Sequence, residues 1–276
     1  MGLLQPNDHW RMSDALWGKI QPLLPVPEDN HPLGCHRRRV PDRDAMDAIL
    51  FVLRTGCQWN ALSATGICSS SSAHRRFQEW TAAGVFEKFW RQGLLVYDEM
   101  VGIDWSWLSM DGAMTKAPLG GEKVGPNPTD RGKGGVKRSL LVEAKGVPVG
   151  VTVAGANRND CKLVEQTLDS IPIRRPKPTK KHPQHMCLDK GYDFEFVLKI
   201  LAEYNLVPHV RHRGEEARAR RRRRGKPRRW VVERSHSWFN RFRRILVRWE
   251  KRSSSYIGML HLVCGLIAWR ATGLLG

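Results

Sequence analysis

The sequence predicts an α/β fold, a mixed sheet flanked by helices and preceded by an all-helical region. Three observations carry this reading. Up to about residue 100, apolar residues recur at helical spacings between capping and terminating residues. After that, short aromatic and apolar segments alternate with glycine- and proline-rich turns. Finally, the order strand, strand, strand, helix, strand, helix, strand, basic loop and long helix describes an antiparallel hairpin start with parallel additions. The expected division is a helical region over 1–100 and an α/β domain over 101–276.

In chain order, "MSDALWGKIQPLLP" is a helix capped by Ser13, with Leu16, Ile20 and Leu23 as its stripe. "DRDAMDAILFVLRTG" follows, with Asp42 as a cap, Met46, Ile49, Leu50 and Leu53 on one face, and Gly56 to end it. "WNALSATG" is a short helical turn. "SSSSAHRRFQEWTAAG" is a serine-capped helix carrying Arg75 and Arg76 in its first turns, and "VFEKFWRQGLLVYDEM" is another helix. The spacing of these helices is of the helix-turn-helix kind, which any small bundle also produces.

"WSWLSMDGAMT" is strand-like up to Asp111. "KRSLLVEAKGVPVGVTVAG" is a hairpin, "NDCKLVEQTLDSI" a helix, "HMCLDKGYD" a strand stopping at Asp189, "DFEFVLKILAEYN" a helix and "LVPHVRH" a strand. A basic loop spans about 213–229; nine of the twelve residues from Arg218 to Arg229 are Lys or Arg. A long helix then runs through "RRWVVERSHSWFNRFRRILVRWEKR", with Trp238, Phe242, Ile245 and Trp249 as its packing face.

Lys and Arg number 46 against 27 Asp and Glu in 276 residues, a formal charge of +19. That balance favours a polyanionic partner, nucleic acid before anionic lipid. With 41% hydrophobic residues and 11 Trp, a core is available and global disorder is excluded. The six cysteines form no CxxC pair, so a zinc finger is unsupported. The N-terminal residues lack the runs of a signal peptide. "YIGMLHLVCGLIAW" is short for a membrane span and reads as a buried helix.

The chemistry turns on carboxylates. Asp111 and Asp189 end predicted strands, and Glu233 is the lone acid opening a helix crowded with arginine and aromatics. Three converging carboxylates repel one another, and a hard divalent cation such as Mg²⁺ or Mn²⁺ resolves that repulsion. Arg241 and Arg244, two and three helical turns after Glu233, would hold phosphates beside it. Asp130, Glu143, Asp160 and Asp193 are equally eligible by residue type, and spacing does not choose among them.

The segments "AILFVLRTGCQW", "MDGAMTKAPLGG", "GPNPTDRGKGGVKRSLLVEAKGVPVGVTVAGANRNDCKL", "CLDKGYD" and "RRWVVERSHSWFNRFRRILVRWEKR" change the choice. Over nearly the whole chain, the sequence resembles bacterial insertion-sequence transposases with a ribonuclease-H-like Asp-Asp-Glu domain and a helical N-terminal region. The resemblance implies that Asp111, Asp189 and Glu233 are the catalytic acids, and that they hold two Mg²⁺ ions, with Mn²⁺ as a substitute. Arg229 matches the arginine four residues before the glutamate and joins Arg241 and Arg244 as an expected phosphate contact, while Arg75 and Arg76, which start a serine-capped helix, are the candidate contacts of the helical region to element-end DNA. Lys226 and Asn240 depart from the accessory positions of the broad motif. Metal-dependent cleavage at terminal inverted repeats, strand transfer into target DNA and assembly of at least two copies on double-stranded DNA are further implications. So is a place in the bacterial cytoplasm at the nucleoid. A nuclease without strand transfer and a catalytically inactive DNA-binding protein are the alternatives.

Overall fold

The computed structural model describes residues 10–26, 39–210 and 230–274. The basic loop expected over 213–229, Arg229 included, lies outside the described residues. The first helices follow their local signals. Helix α1 (Asp14–Ile20) is capped by the Ser13 hydroxyl, which accepts from the Leu16 N–H. Helix α2 (Asp42–Thr55) begins after Pro41, so Asp42 is its first residue rather than its cap. It ends at Gly56, whose φ of 72° is the left-handed conformation that glycine adopts without strain. Helix α3 (Ser70–Ala82) is capped by Ser69, and α4 (Val85–Val101) follows.

The sheet then begins. Strand β1 (Trp107–Lys116) pairs antiparallel with β3 (Gly134–Val142), which pairs with β4 (Pro148–Gly155). A two-residue β2 (Gly125–Pro126) joins the start of β3. On its other side β1 pairs parallel with β5 (Gln184–Leu188), and β5 with β6 (Leu206–Val210). Helices α5 (Val164–Asp169) and α6 (Glu195–Glu203) lie in the connections. Helices α7 (Trp230–Phe239) and α8 (Ser253–Ala271) complete the described chain. The order β4-β3-β1-β5-β6, antiparallel on one side of β1 and parallel on the other, is the ribonuclease-H-like mixed sheet expected.

Two expectations need correction. Strand β1 does not stop at Asp111; it continues to Lys116 because β3 offers paired rungs along that whole stretch. Gly112 permits this in a crowded place, since a Cβ there would sit 1.8 Å from Asp160 Oδ1. The long helix through residue 252 is also broken. After α7 the chain turns, Phe242 is extended, and Arg243–Ile245 forms a 3-10 turn. Val247 then bridges Lys116, and the Arg248 N–H donates to the Lys116 carbonyl at 2.8 Å. The free edge at the end of β1 competes for this backbone and ends the helix. Trp249 is consequently 41% exposed, not part of a packing face.

One apolar core runs through the helical region and the sheet. Helices α4 and α8 approach closely because Gly93 faces Trp269 and Gly265 faces Phe89, where added Cβ atoms would meet ring atoms at 2.9 and 2.4 Å. Trp90 donates to the Pro148 carbonyl of β4 at 3.0 Å, tying α4 to the sheet. No helix of the described residues is long and apolar enough to cross a membrane.

His261 on α8 packs on the Trp90 ring at 5.4 Å, and burial lowers its pKa from 6.5 to about 4. The unfolded imidazole therefore takes up its proton at a higher pH than the folded one. Its contribution to stability is complete above pH 6.5 and is lost as pH falls towards 4. We expect His261→Leu to lose less stability than wild type between pH 7 and about 4.5 in urea melts. Identical losses in the two proteins would remove His261 from the acid response.

Candidate active site

The parallel pairing of β1 and β5 ends at the rung Ser109↔Cys187. Asp111 and Asp189 each lie two residues beyond that rung. Asp111, still on β1, continues the face set by Ser109, while Asp189 follows β5 directly in extended backbone. Asp111 accepts from the Gly112 N–H at 2.9 Å, and Asp189 caps the 3-10 turn Lys190–Tyr192 by accepting from the Lys190 N–H at 2.6 Å.

That turn ends in Tyr192. Its phenol is 2% exposed, and its hydroxyl has no hydrogen-bond partner. Burial first, and then the charges of Asp160, Asp111 and Asp189, push its pKa well above 10. The phenol therefore stays protonated. Sequence reading missed Tyr192; its position three residues after Asp189 carries no signal by itself.

Helix α7 packs across β1 and β3. Its buried His236 lies against the Asp111 backbone, and burial, then the charge of Arg138, lowers the imidazole pKa to about 3. Glu233 stands one turn before His236, on the exposed margin of the same helix side. Of the other eligible acids, Asp160 lies in the same neighbourhood, beside Gly112 and the Tyr192 phenol. Asp130 pairs with Lys116 and Asp160 with Lys137, while buried Glu143 accepts from the N–H groups of Asp104, Lys145 and Val147. Asp193 is exposed.

Among the described residues, no three His, Cys, Asp or Glu side chains converge closely enough to hold a metal ion. The donor set still suits a hard divalent cation in kind: carboxylate oxygens only, beside a buried phenol hydroxyl that lacks a partner.

The arginines divide. Arg75 is well exposed, 3.9 Å from Glu79. Arg76 is 3% exposed and held by Asp42 and Glu79, both at 3.1 Å. Arg241 is exposed in the turn after α7. Arg244 is 5% exposed, paired with Glu250 at 2.7 Å, and donates to the Cys57 carbonyl at 3.0 Å. Arg76 and Arg244 thus point inward, and the expectation that they touch DNA gives way to a structural role. Carboxylates within reach take up the guanidiniums once the helices pack. Arg244→Ala leaves Glu250 buried without its partner and is expected to cost about 3–5 kcal/mol. Arg244→Met combined with Glu250→Leu should recover most of that loss in thermal melts. A single variant that melts like wild type would refute the pairing as a stabilising element.

The sequence of residues 105–267 matches the family model described as "Transposase DDE domain". The chain belongs to the DDE-domain transposases. Residues 12–90 match a second model, described as "Putative transposase of IS4/5 family". The transposase is 38% identical over 153 residues to "Putative transposase for insertion sequence element IS402" of Burkholderia cepacia, covering 54% of this chain and 70% of that protein. It is 36% identical over 118 residues to "Insertion element IS402 uncharacterized 16.2 kDa protein" of the same organism, covering 42% of this chain and 80% of that one. Among solved structures, it is similar to the Mos1 transposase catalytic domain with Raltegravir and Mg, at 13% identity and a TM-score of 0.29, covering 68% of this chain and 94% of that one. It is also similar to the Mos1 mariner paired end complex with Mn, at 11% identity and a TM-score of 0.28, covering 90% and 83%. The fold assignment rests on the strand order of the transposase itself. Membership also brings the family's general reliance on metal-dependent catalysis.

Proposed function

We propose that this transposase cuts DNA at the terminal inverted repeats of its element and joins the ends to target DNA, with Asp111, Asp189 and Glu233 as the acids. One observation carries the reading: Asp111 and Asp189 stand two residues beyond the same rung of adjacent parallel strands. Asp111 and Asp189 would hold two Mg²⁺ ions from the sheet, and Glu233 would close the set from α7. When bound, the ions supply Lewis acidity towards the attacking and leaving oxygens of a phosphodiester.

The remaining roles belong to the protein. The two backbone N–H donors at Asp111 and Asp189 orient their carboxylates. Tyr192, kept protonated, can donate a hydrogen bond among the acids without adding negative charge. His236 is neutral at working pH and packs α7 against β1 without competing for the cation's place. The helical region supplies end recognition, with Arg75 as its exposed candidate contact. At least two copies would act together on two ends. A bacterial protein of this kind works on DNA in the cytoplasm, at the nucleoid.

The test mixes the full chain with a labelled 3′-OH element end, target DNA and Mg²⁺. A covalently joined product is expected. Cleavage without joining would reduce the protein to a nuclease, and binding without either would make it a DNA-binding protein only. In the same assay Arg75→Ala should weaken binding to the element end more than to a scrambled end. Equal weakening would make Arg75 a backbone contact.

A further inference from the structure

A cavity of about 470 Å³ opens where Trp10 and the C-terminal ends of α2 and α8 meet the turn after α7. It is lined by Trp10, Arg54, Thr55, Arg241, Phe242, Arg243 and Arg270. Four of these seven residues are arginines and none is an acid. Arg54 lies in the last turn of α2 and Arg270 in the last turn of α8, so each also offsets the negative end of a helix dipole. That role explains neither Arg241 nor Arg243, which belong to no α-helix.

The cleft is a built feature. Gly56 lies so close to Arg243 that an added Cβ would sit 3.0 Å from its Cβ and 3.1 Å from its carbonyl carbon. Buried Arg244 fastens the same turn to the Cys57 carbonyl and to Glu250. The fold thus spends a left-handed glycine and a buried ion pair to hold Arg243 over the end of α2. The arrangement brings like charges together: after burial, the charge of Arg270 is what lowers the pKa of Arg54. Such an assembly is stabilised by an anion.

We propose that this cleft is a DNA-backbone site, distinct from the carboxylate cluster, in which Arg54, Arg241, Arg243 and Arg270 seat the phosphates of one strand. The inference rests on the reading of the chain as a DNA transposase. The volume admits a short run of sugar-phosphate backbone rather than the width of a duplex. Its walls come from both the helical region and the α/β region, so a strand seated there is held by both at once. Exposed Trp10, packed edge-on against Phe51, forms an apolar rim for a sugar or base face.

The experiment is a salt titration of binding to an element-end duplex by the full-length wild type, Arg243→Gln and Arg243→Gln/Arg270→Gln, with melts alongside. Arg243 is exposed and makes no ion pair among the described residues, so the single variant should fold as wild type. The slope of log affinity against log salt should fall by about one unit for the single variant and about two for the double. An unchanged slope in a normally melting Arg243→Gln protein overturns the proposal, while wild-type binding and strand transfer preserve the transposase reading. Absence of any salt-dependent DNA binding by wild type would overturn both. Melt stabilisation by inorganic phosphate that Arg243→Gln abolishes, with DNA slopes unchanged, would make the cleft a small-anion site and overturn its assignment to DNA.

Discussion

Asp111→Asn, Asp189→Asn and Glu233→Gln are each expected to lower cleavage and strand transfer by more than about a thousandfold, the scale on which groups acting as a unit fail. Each change removes a ligand's charge and keeps its shape. For Asp111 and Asp189 it also keeps the backbone hydrogen bonds that orient the group, since an amide oxygen accepts as a carboxylate does. Binding of element-end DNA should persist with its salt dependence intact, because the arginines are untouched. Tyr192→Phe provides a contrast. It removes the buried hydroxyl and leaves the acids, so a smaller loss of rate is expected. A purified Asp111→Asn protein that cleaves at the wild-type rate in Mg²⁺ would end the assignment of this acid.

The second large effect concerns stability. Trp90 is fully buried, donates to Pro148 on β4 and packs against His261 on α8. Trp90→Ala removes the largest side chain at the point where α4, α8 and the sheet meet, and a cost of about 3–5 kcal/mol is expected. In a chain of this size each kcal/mol moves the melting temperature by roughly 2–4 °C, so a loss on the order of 10 °C should be seen. Trp90→Phe keeps most of the packing and drops the hydrogen bond, and should fall between. Gly265→Ala tests the same seam from the opposite side, since its Cβ would meet the Phe89 ring at 2.4 Å. Overpacking of this kind costs about 1–3 kcal/mol. A Trp90→Ala protein melting within a degree or two of wild type would show that the seam is not where the two regions are joined.

Much of the fold is legible in the sequence. Ser13 caps α1 as expected, one of the four serines expected to cap α3 does so, namely Ser69, and Gly56 ends α2 in the left-handed conformation. The β3–β4 hairpin lies where its turn signal places it. The buried helix near the C-terminus is α8. All of these are local: a cap, a turn or an apolar stripe is decided within a few residues, so the chain carries the signal in one place.

The tertiary structure decided what depends on distant partners. Arg75 and Arg76 are adjacent and chemically identical, yet one faces solvent while the other is buried against Asp42, 34 positions away. Arg244 left its expected place on a helix because the end of β1 captured Val247 and Arg248, and Cys57, 187 positions away, offered a carbonyl. Residue type marked Asp111 and Asp189 as eligible acids, and the resemblance chose them from among others. The parallel register of β1 and β5, which ends at Ser109↔Cys187, is what brings together the strand segments that precede them. Register, burial and the pairing of charges are properties of surfaces that meet after the chain has folded, and no short stretch of sequence holds both surfaces.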